Sequence, residues 1–422
     1  MESHTVIQPL KGSERMVVLD FFRGIAIFGI LIVNMAWYNA PLFAQMGDFV
    51  LFDDTANRLA HIFIMIFFES KFYPLFAILF GLGFYLFLNK AAESVQPLVY
   101  RYRLRLLYLL LFGVLHVVFF WHGDILIIYA LFGFIMTWFY RSSDKKVIIW
   151  AAIFIVLPVI LMAALIALLK LAMGIPEVGP DLEAGFREQQ LYARDFIQKA
   201  ILVYTEGSFS DMIRIRLTDY MHSLNGIVFA FPNVISLFLI GMYMGRKKVF
   251  RDLDHAVNVL RKVFYWCLPI AVIFTPMFVY ASLEGDMLVP DWNMPLLLAG
   301  SMIGGSAQML VYLYLLTLLY RRFRKSHLVE RISKVGRMAF TNYLMQSIIV
   351  TTLVYGYGLG LYAQINYWQG ILLAVAIYLL QLYWSEPWLR KYRFGPFEWL
   401  WRSMTYGKLQ PIRKDNSAEQ NK

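Results

Sequence analysis

Residues 105–141, RLLYLLLFGVLHVVFFWHGDILIIYALFGFIMTWFYR, are two apolar runs meeting at a short polar knot, Trp121-His122-Gly123-Asp124, with His116 inside the first run. A water-soluble core has no place for runs this uniformly apolar. A bilayer requires them, because a helix needs about 20 apolar residues to cross its hydrocarbon. An ionisable side chain at mid-depth costs about 2.5–3.5 kcal/mol, so such a residue is paired, faces a cavity or takes part in function. His116, His122 and Asp124 are therefore the first candidates for chemistry.

The rest of the chain has the same character. With 59% hydrophobic, 17% aromatic and 16% charged residues and a mean hydropathy of +0.57, it reads as an all-α, polytopic transmembrane bundle in the cell membrane. The formal charge of +11 does not point to nucleic acid, because the basic residues sit in short clusters between apolar spans. Cys267 is the single cysteine, which excludes an intrachain disulfide and a cysteine-based zinc cluster. The histidines show neither HxxxH nor HExxH spacing, so no metal is predicted. Asp20 and Arg23 interrupt the first apolar run after the polar residues 1–15, which argues that this run is retained as a span rather than cleaved as a signal peptide.

About ten spans follow, at 16–38, 72–88, 106–122, 124–140, 147–173, 227–245, 263–282, 294–319, 337–358 and 368–385. Residues 56–68 are too short to cross and read as an interfacial or re-entrant helix. Basic clusters at Lys90 to Arg105, Arg141 to Lys146, Arg246 to Lys262 and Arg321 to Lys334 alternate with connections free of lysine and arginine. Under the positive-inside rule this places both termini in the cytoplasm and the knot outside. The transmembrane domain is thus 1–385, with an external segment at 174–226 that is either a lid or a solvated cap. Residues 386–422, rich in Trp and Arg before turning polar and disordered, form a cytoplasmic interfacial tail.

Several spans carry polar groups on one face. At about 100° per residue, Asp20, Arg23 and Asn34 share one stripe of the first span, with Asn34 about 16 Å further along than Arg23. Asp20 and Arg23 could equally be an ion pair that fixes helix depth. Asp124 could cap the next helix, and His116 could be a base oriented by a carboxylate or a buried histidine bonded to a neighbour. The stretch from Gly300 to Gln308 presents small residues for close helix approach, with Gln308 a candidate cavity residue. In GRMAFTNYLMQS, Asn342 and Gln346 stand one turn apart, as do Tyr343 and Ser347. That polarity turns the helix toward the bundle interior, for interhelical bonding or for substrate.

LDFFRGIAIFGILIVN, LFGVLHVVFFWHGDILIIYAL, GRMAFTNYLMQS and FGPFEWLWRSMTYG, in this order, resemble the YeiB-like family of uncharacterised bacterial membrane proteins over nearly the whole chain. That family is in turn distantly similar to transmembrane acyltransferases such as heparan-α-glucosaminide N-acetyltransferase. The resemblance implies transfer of an acyl group from cytosolic acyl-CoA, through the bundle, to an acceptor on the far side. Asn34 matches an asparagine that works in the heparan enzyme beside a histidine a few residues later. Residues 37–45 contain no histidine, so only His116 or His122 could replace it.

The expectation is an acyltransferase with His116 as base, Asp124 or Asn34 as orienting and oxyanion-side groups, and Arg23 near the phosphates of an acyl-CoA donor. Asp20, Gln308, Asn342, Tyr343 and Gln346 are candidate substrate contacts. Expected partners are membrane lipids and a small-molecule, lipid or glycan acceptor, with no nucleic acid; a homo-oligomer is compatible with the sequence. The alternative is a transporter or lipid-handling protein in which the same polar stripe lines a solute path.

Overall fold

The computed structural model describes residues 16–46, 49, 51–89, 95–224, 226, 229 and 232–414. The polar start at 1–15, Lys90 of the first basic cluster and the end at 415–422 lie outside them. The fold is all-α. In chain order the helices are α1 (Val17–Tyr38), α2 (Thr55–Phe67), α3 (Phe72–Leu88), α4 (Val95–Phe119), α5 (Leu126–Phe139), α6 (Asp144–Met173), α7 (Gly179–Glu206) and α8 (Phe209–Leu224). They continue as α9 (Pro232–Arg246), α10 (Leu253–Glu284), α11 (Asn293–Ala299), α12 (Ser306–Phe323), α13 (His327–Arg337), α14 (Ala339–Val354), α15 (Tyr367–Lys391) and α16 (Pro396–Tyr406). A π-helical turn, Gly300–Gly305, joins α11 to α12.

Seven described segments are long and apolar enough to cross a membrane: Val17–Tyr38, Thr55–Leu88, Leu98–Phe119, Asp144–Met173, Leu253–Glu284, Asn293–Phe323 and Tyr367–Lys391. The protein is therefore a multi-pass integral membrane protein. Only 11% of the most apolar window of α6 and 17% of that of α10 is buried, so Leu168, Leu171, Trp266 and Val272 form an apolar outer wall suited to lipid. The expected spans at 124–140, 227–245 and 337–358 are shorter helices, α5, α9 and α14, of 14, 15 and 16 residues. Nearly all of α9 is buried among its neighbours. Its apolar side chains pack against neighbouring helices rather than facing outward. Residues 56–68 form α2, which turns into α3 through Ser70 at φ 61.

Apolar burial gives little drive between helices already in lipid, so close backbone packing must hold such a bundle. Two crossings show this. A Cβ on Gly241 of α9 would lie 2.0 Å from the Ile78 carbonyl oxygen of α3, and one on Gly336 of α13 would lie 1.8 Å from the Asp20 carbonyl oxygen of α1. Around these contacts lie a core that includes Phe22, Phe84 and Phe238 and a second one that includes Tyr38, Trp121, Tyr204 and Tyr355. Within the 174–226 segment, α7 and α8 pack over the second core through residues such as Phe196, Tyr204 and Met212. Residues 386–391 complete α15, and α16 packs back on α4, with Trp401 Nε1 donating to the Arg105 carbonyl at 2.8 Å.

Candidate functional site

α4 ends at Phe119 and α5 begins at Leu126, so the knot folds Asp124 back over the last turns of α4. Gly113 permits this, because a Cβ there would come within 2.9 Å of Asp124 Oδ2. One Asp124 oxygen accepts the Ile127 amide at 2.8 Å, capping α5. The other lies 2.9 Å from His116 Nδ1, close but off the line of a well-formed hydrogen bond. On the other side of the ring, His116 Nε2 meets the Ser347 hydroxyl of α14 at 2.7 Å. Ser347 in turn shares a 2.7 Å hydrogen bond with the Tyr38 hydroxyl at the end of α1.

Four elements thus build a linear chain, Asp124–His116–Ser347–Tyr38, whose members are all buried. The carboxylate beside Nδ1 favours the tautomer with its proton there, which leaves Nε2 to accept from Ser347. Ser347 then accepts from Tyr38. A hydroxyl held by a base that a carboxylate orients is the arrangement used to activate a nucleophile.

Beside this chain lies a cavity of about 810 Å³. It follows α1 from Asp20 and Arg23 to Asn34, a rise of about 20 Å, and its walls include Phe76, Phe80, Phe84 and Tyr129. Arg23, Arg105, Arg337 and Arg402 gather toward one end, with Asp20 and Glu398 among them; Asn34, Gly123 and Tyr343 belong to the knot end. Arg23 Nη1 donates to Asp20 at 2.9 Å, and the Arg105 guanidinium lies 4.2 Å over the Trp401 ring. Tyr343 joins cavity and chain: it lines the cavity, and its ring centroid is 5.3 Å from that of His116.

The other candidates are placed elsewhere, and none of Asn342, Gln346 and Gln308 lines this cavity. Asn342 donates to the Val335 carbonyl and to Ser385 and accepts from Trp384, and Gln346 donates to Gln381. Gln308 donates to the Ile66 carbonyl and accepts from Thr275. His122 belongs to a second buried group under α8, where Nδ1 stands 3.9 Å from Asp219 Oδ2. Asp219 accepts from Tyr204 at 3.2 Å and from the Leu42 amide at 3.3 Å, and Arg216 donates to the Val118 carbonyl at 2.7 Å. Burial pushes the Asp219 carboxyl up to about 7.

The sequence does not pair Ser347 with His116, does not single out Tyr38, Arg216 or Asp219, and presents Arg105 only as part of a basic cluster. Ser347 had one signal, its place one turn after Tyr343 on a polar helix face. Among the described residues no three His, Cys, Asp or Glu side chains gather to hold a metal ion.

Comparison with known proteins adds the following. Residues 244–408 match the family described as "Protein of unknown function (DUF418)". The chain is 33% identical over 425 residues to "Uncharacterized protein YxaH" of Bacillus subtilis (strain 168), covering 97% of this chain and 98% of that one. It is 28% identical over 401 residues to "Uncharacterized protein YeiB" of Escherichia coli (strain K12), covering 94% and 98%.

Proposed function

The chain belongs to the family of YeiB- and YxaH-like proteins that carry DUF418, and from the site it builds we propose that it is a membrane-embedded acyltransferase. An acyl-CoA-type donor enters the arginine end of the cavity from the cytosol. Its phosphates meet Arg23 and Arg105, whose planar guanidinium forks match phosphate oxygens. From Arg23 to Asn34 is about 16 Å along α1, comparable with an extended pantetheine arm, so the thioester comes to rest near Asn34 and Tyr343.

There His116 removes the proton of the attacking nucleophile while Asp124 holds the imidazole in the required tautomer. Asn34 and Tyr343 offer hydrogen bonds to the oxyanion. The acceptor is a small molecule, lipid or glycan at or beyond the outer leaflet. This reading sets the protein in the plasma membrane with about ten crossings and both termini in the cytoplasm.

The observation that carries it is the buried His116, held between Asp124 at 2.9 Å and a hydroxyl at 2.7 Å, next to a cavity with arginines at one end. The test is release of CoA from acetyl-CoA or palmitoyl-CoA by the purified protein in proteoliposomes. His116→Ala should lower it by about 10²–10⁴-fold, the usual worth of a general base, with an unchanged gel-filtration profile. Undiminished turnover would remove His116 from the mechanism. A wild-type protein that binds neither thioester but passes a solute is a transporter or lipid-handling protein instead.

A further inference from the structure

We infer that Ser347 is the first acyl acceptor, so that transfer proceeds in two steps through an ester on its Oγ; the inference rests on the acyl-transfer reading above. Serine and threonine inside a helix ordinarily return their hydroxyl to the carbonyl one turn back. Thr351 does so to the Ser347 carbonyl and Thr352 to the Ile348 carbonyl, each at 2.7 Å, in the same helix. Ser347 does not. Its hydroxyl is spent on His116 Nε2 and Tyr38, both at 2.7 Å, with no solvent exposure.

The imidazole nitrogen that would serve as base for an incoming alcohol is therefore already occupied, and the occupant is itself an alcohol. An external acceptor could use that nitrogen directly only by displacing Ser347. The residue also stands where a relay is useful, since Tyr343, one turn earlier on α14, lines the cavity. The Tyr343 hydroxyl is buried beside the Ile125 backbone without an aligned hydrogen-bond partner, so its proton can turn to an oxyanion. Ser347 itself does not line the cavity, so the relay requires the acyl group to reach Oγ past that ring.

The chemistry balances in two halves. In the first, Ser347 Oγ attacks the thioester carbonyl and passes its proton to His116 Nε2; the C–S bond breaks, and the thiolate leaves with that proton as CoA thiol. In the second, the acceptor hydroxyl attacks the Ser347 ester and gives its proton to His116. The ester C–O bond then breaks, and Ser347 Oγ recovers the proton.

The experiment incubates full-length protein with acetyl-CoA or palmitoyl-CoA alone and locates any adduct by peptide mass spectrometry. Leaving out the acceptor blocks the second half, and Asp124→Asn, which slows both halves, is run beside the wild type to limit loss of the ester to water. The expected result is an acyl ester on Ser347 in one or both proteins, and loss of CoA release by about 100-fold or more in Ser347→Ala, the scale expected when a member of a catalytic unit is removed. Ser347→Cys, closer in size and able to form a thioester, should recover the adduct if Ser347→Ala folds poorly.

CoA release by Ser347→Ala at the wild-type rate, with His116→Ala inactive, overturns the relay and leaves acyl transfer standing. An adduct on another residue does the same. Inactive Ser347→Ala with no adduct in either wild type or Asp124→Asn also overturns it and makes Ser347 a positioning residue. Failure of the wild type to bind or consume either thioester removes both proposals.

Discussion

Asp124 divides its oxygens between two tasks, one on the Ile127 amide that begins α5 and one beside His116, and replacements at this position can separate them. Asparagine keeps an oxygen for the amide but loses the charge that orients the imidazole. Asp124→Asn should therefore leave thermal unfolding in detergent nearly unchanged while CoA release falls. Asp124→Ala should in addition lose roughly 1–3 kcal/mol of stability, because buried groups are left unpaired. Equal effects of the two replacements on turnover and melting would contradict this division.

Asp219 gives a second test at the same scale. Its folded value of about 7 lies above the 3.8 of the free side chain, so the folded state holds a proton that the unfolded chain has released. The stability it contributes is full below about pH 4 and is lost as pH rises through 7. Melting followed from pH 4 to 8 should show that decline in the wild type and a flatter profile in Asp219→Asn.

His116 was legible in the sequence because a lone imidazole in an apolar run demands a partner. Ser347 was not, since a helical serine by default bonds its own backbone. Nothing in the spacing of α4 and α14 says that they touch.

α14 carries both Tyr343 and Ser347, and another element fixes where it starts. Glu398 of α16 accepts the Phe340 and Thr341 amides at 2.7 and 3.1 Å and the Thr341 hydroxyl at 2.5 Å. It thus supplies from 57 residues away the oxygen that a local cap would give. Burial holds its carboxyl above the usual range. Glu398→Ala should cost about 1–2 kcal/mol, the upper range for a lost cap, and should lower CoA release by loosening Ser347, whereas Glu398→Gln should retain most of the stability. Paired melting and turnover measurements on the two variants check this; indifference of both quantities to alanine would remove α16 from the support of the site.

The aromatic and basic composition of FGPFEWLWRSMTYG suggests an interfacial helix, but it does not reveal which amides its one carboxylate reaches. The span lengths were blurred for a related reason. An apolar run reports only that its surroundings are dry: α9 lies largely among other helices, whereas α5 also turns Leu131 and Trp138 outward.

The molecule as a whole is polarised, with guanidiniums at one end of the cavity and the His116 chain near the other, and the proposed reaction works in only one orientation. A donor made in the cytosol must meet the arginine end, which is the end lined by Trp401 and Arg402 of α16. α7 and α8, which cover the histidine end, must then lie outside. The basic clusters of the sequence point the same way under the positive-inside rule, although they cannot say that the two ends share one cavity, since this depends on how α1, α3, α4 and α14 cross.

Single cysteines test the orientation. Cys267 is half-buried and would first be replaced by Ser. Glu188→Cys on α7 and Lys408→Cys just beyond α16 both place a thiol at an exposed position. A membrane-impermeant maleimide added to intact cells should label the α7 position at once and the position beyond α16 only after the membrane is permeabilised. The reverse order would point the arginines away from the cytosol, and a cytosolic thioester would then have no route to His116.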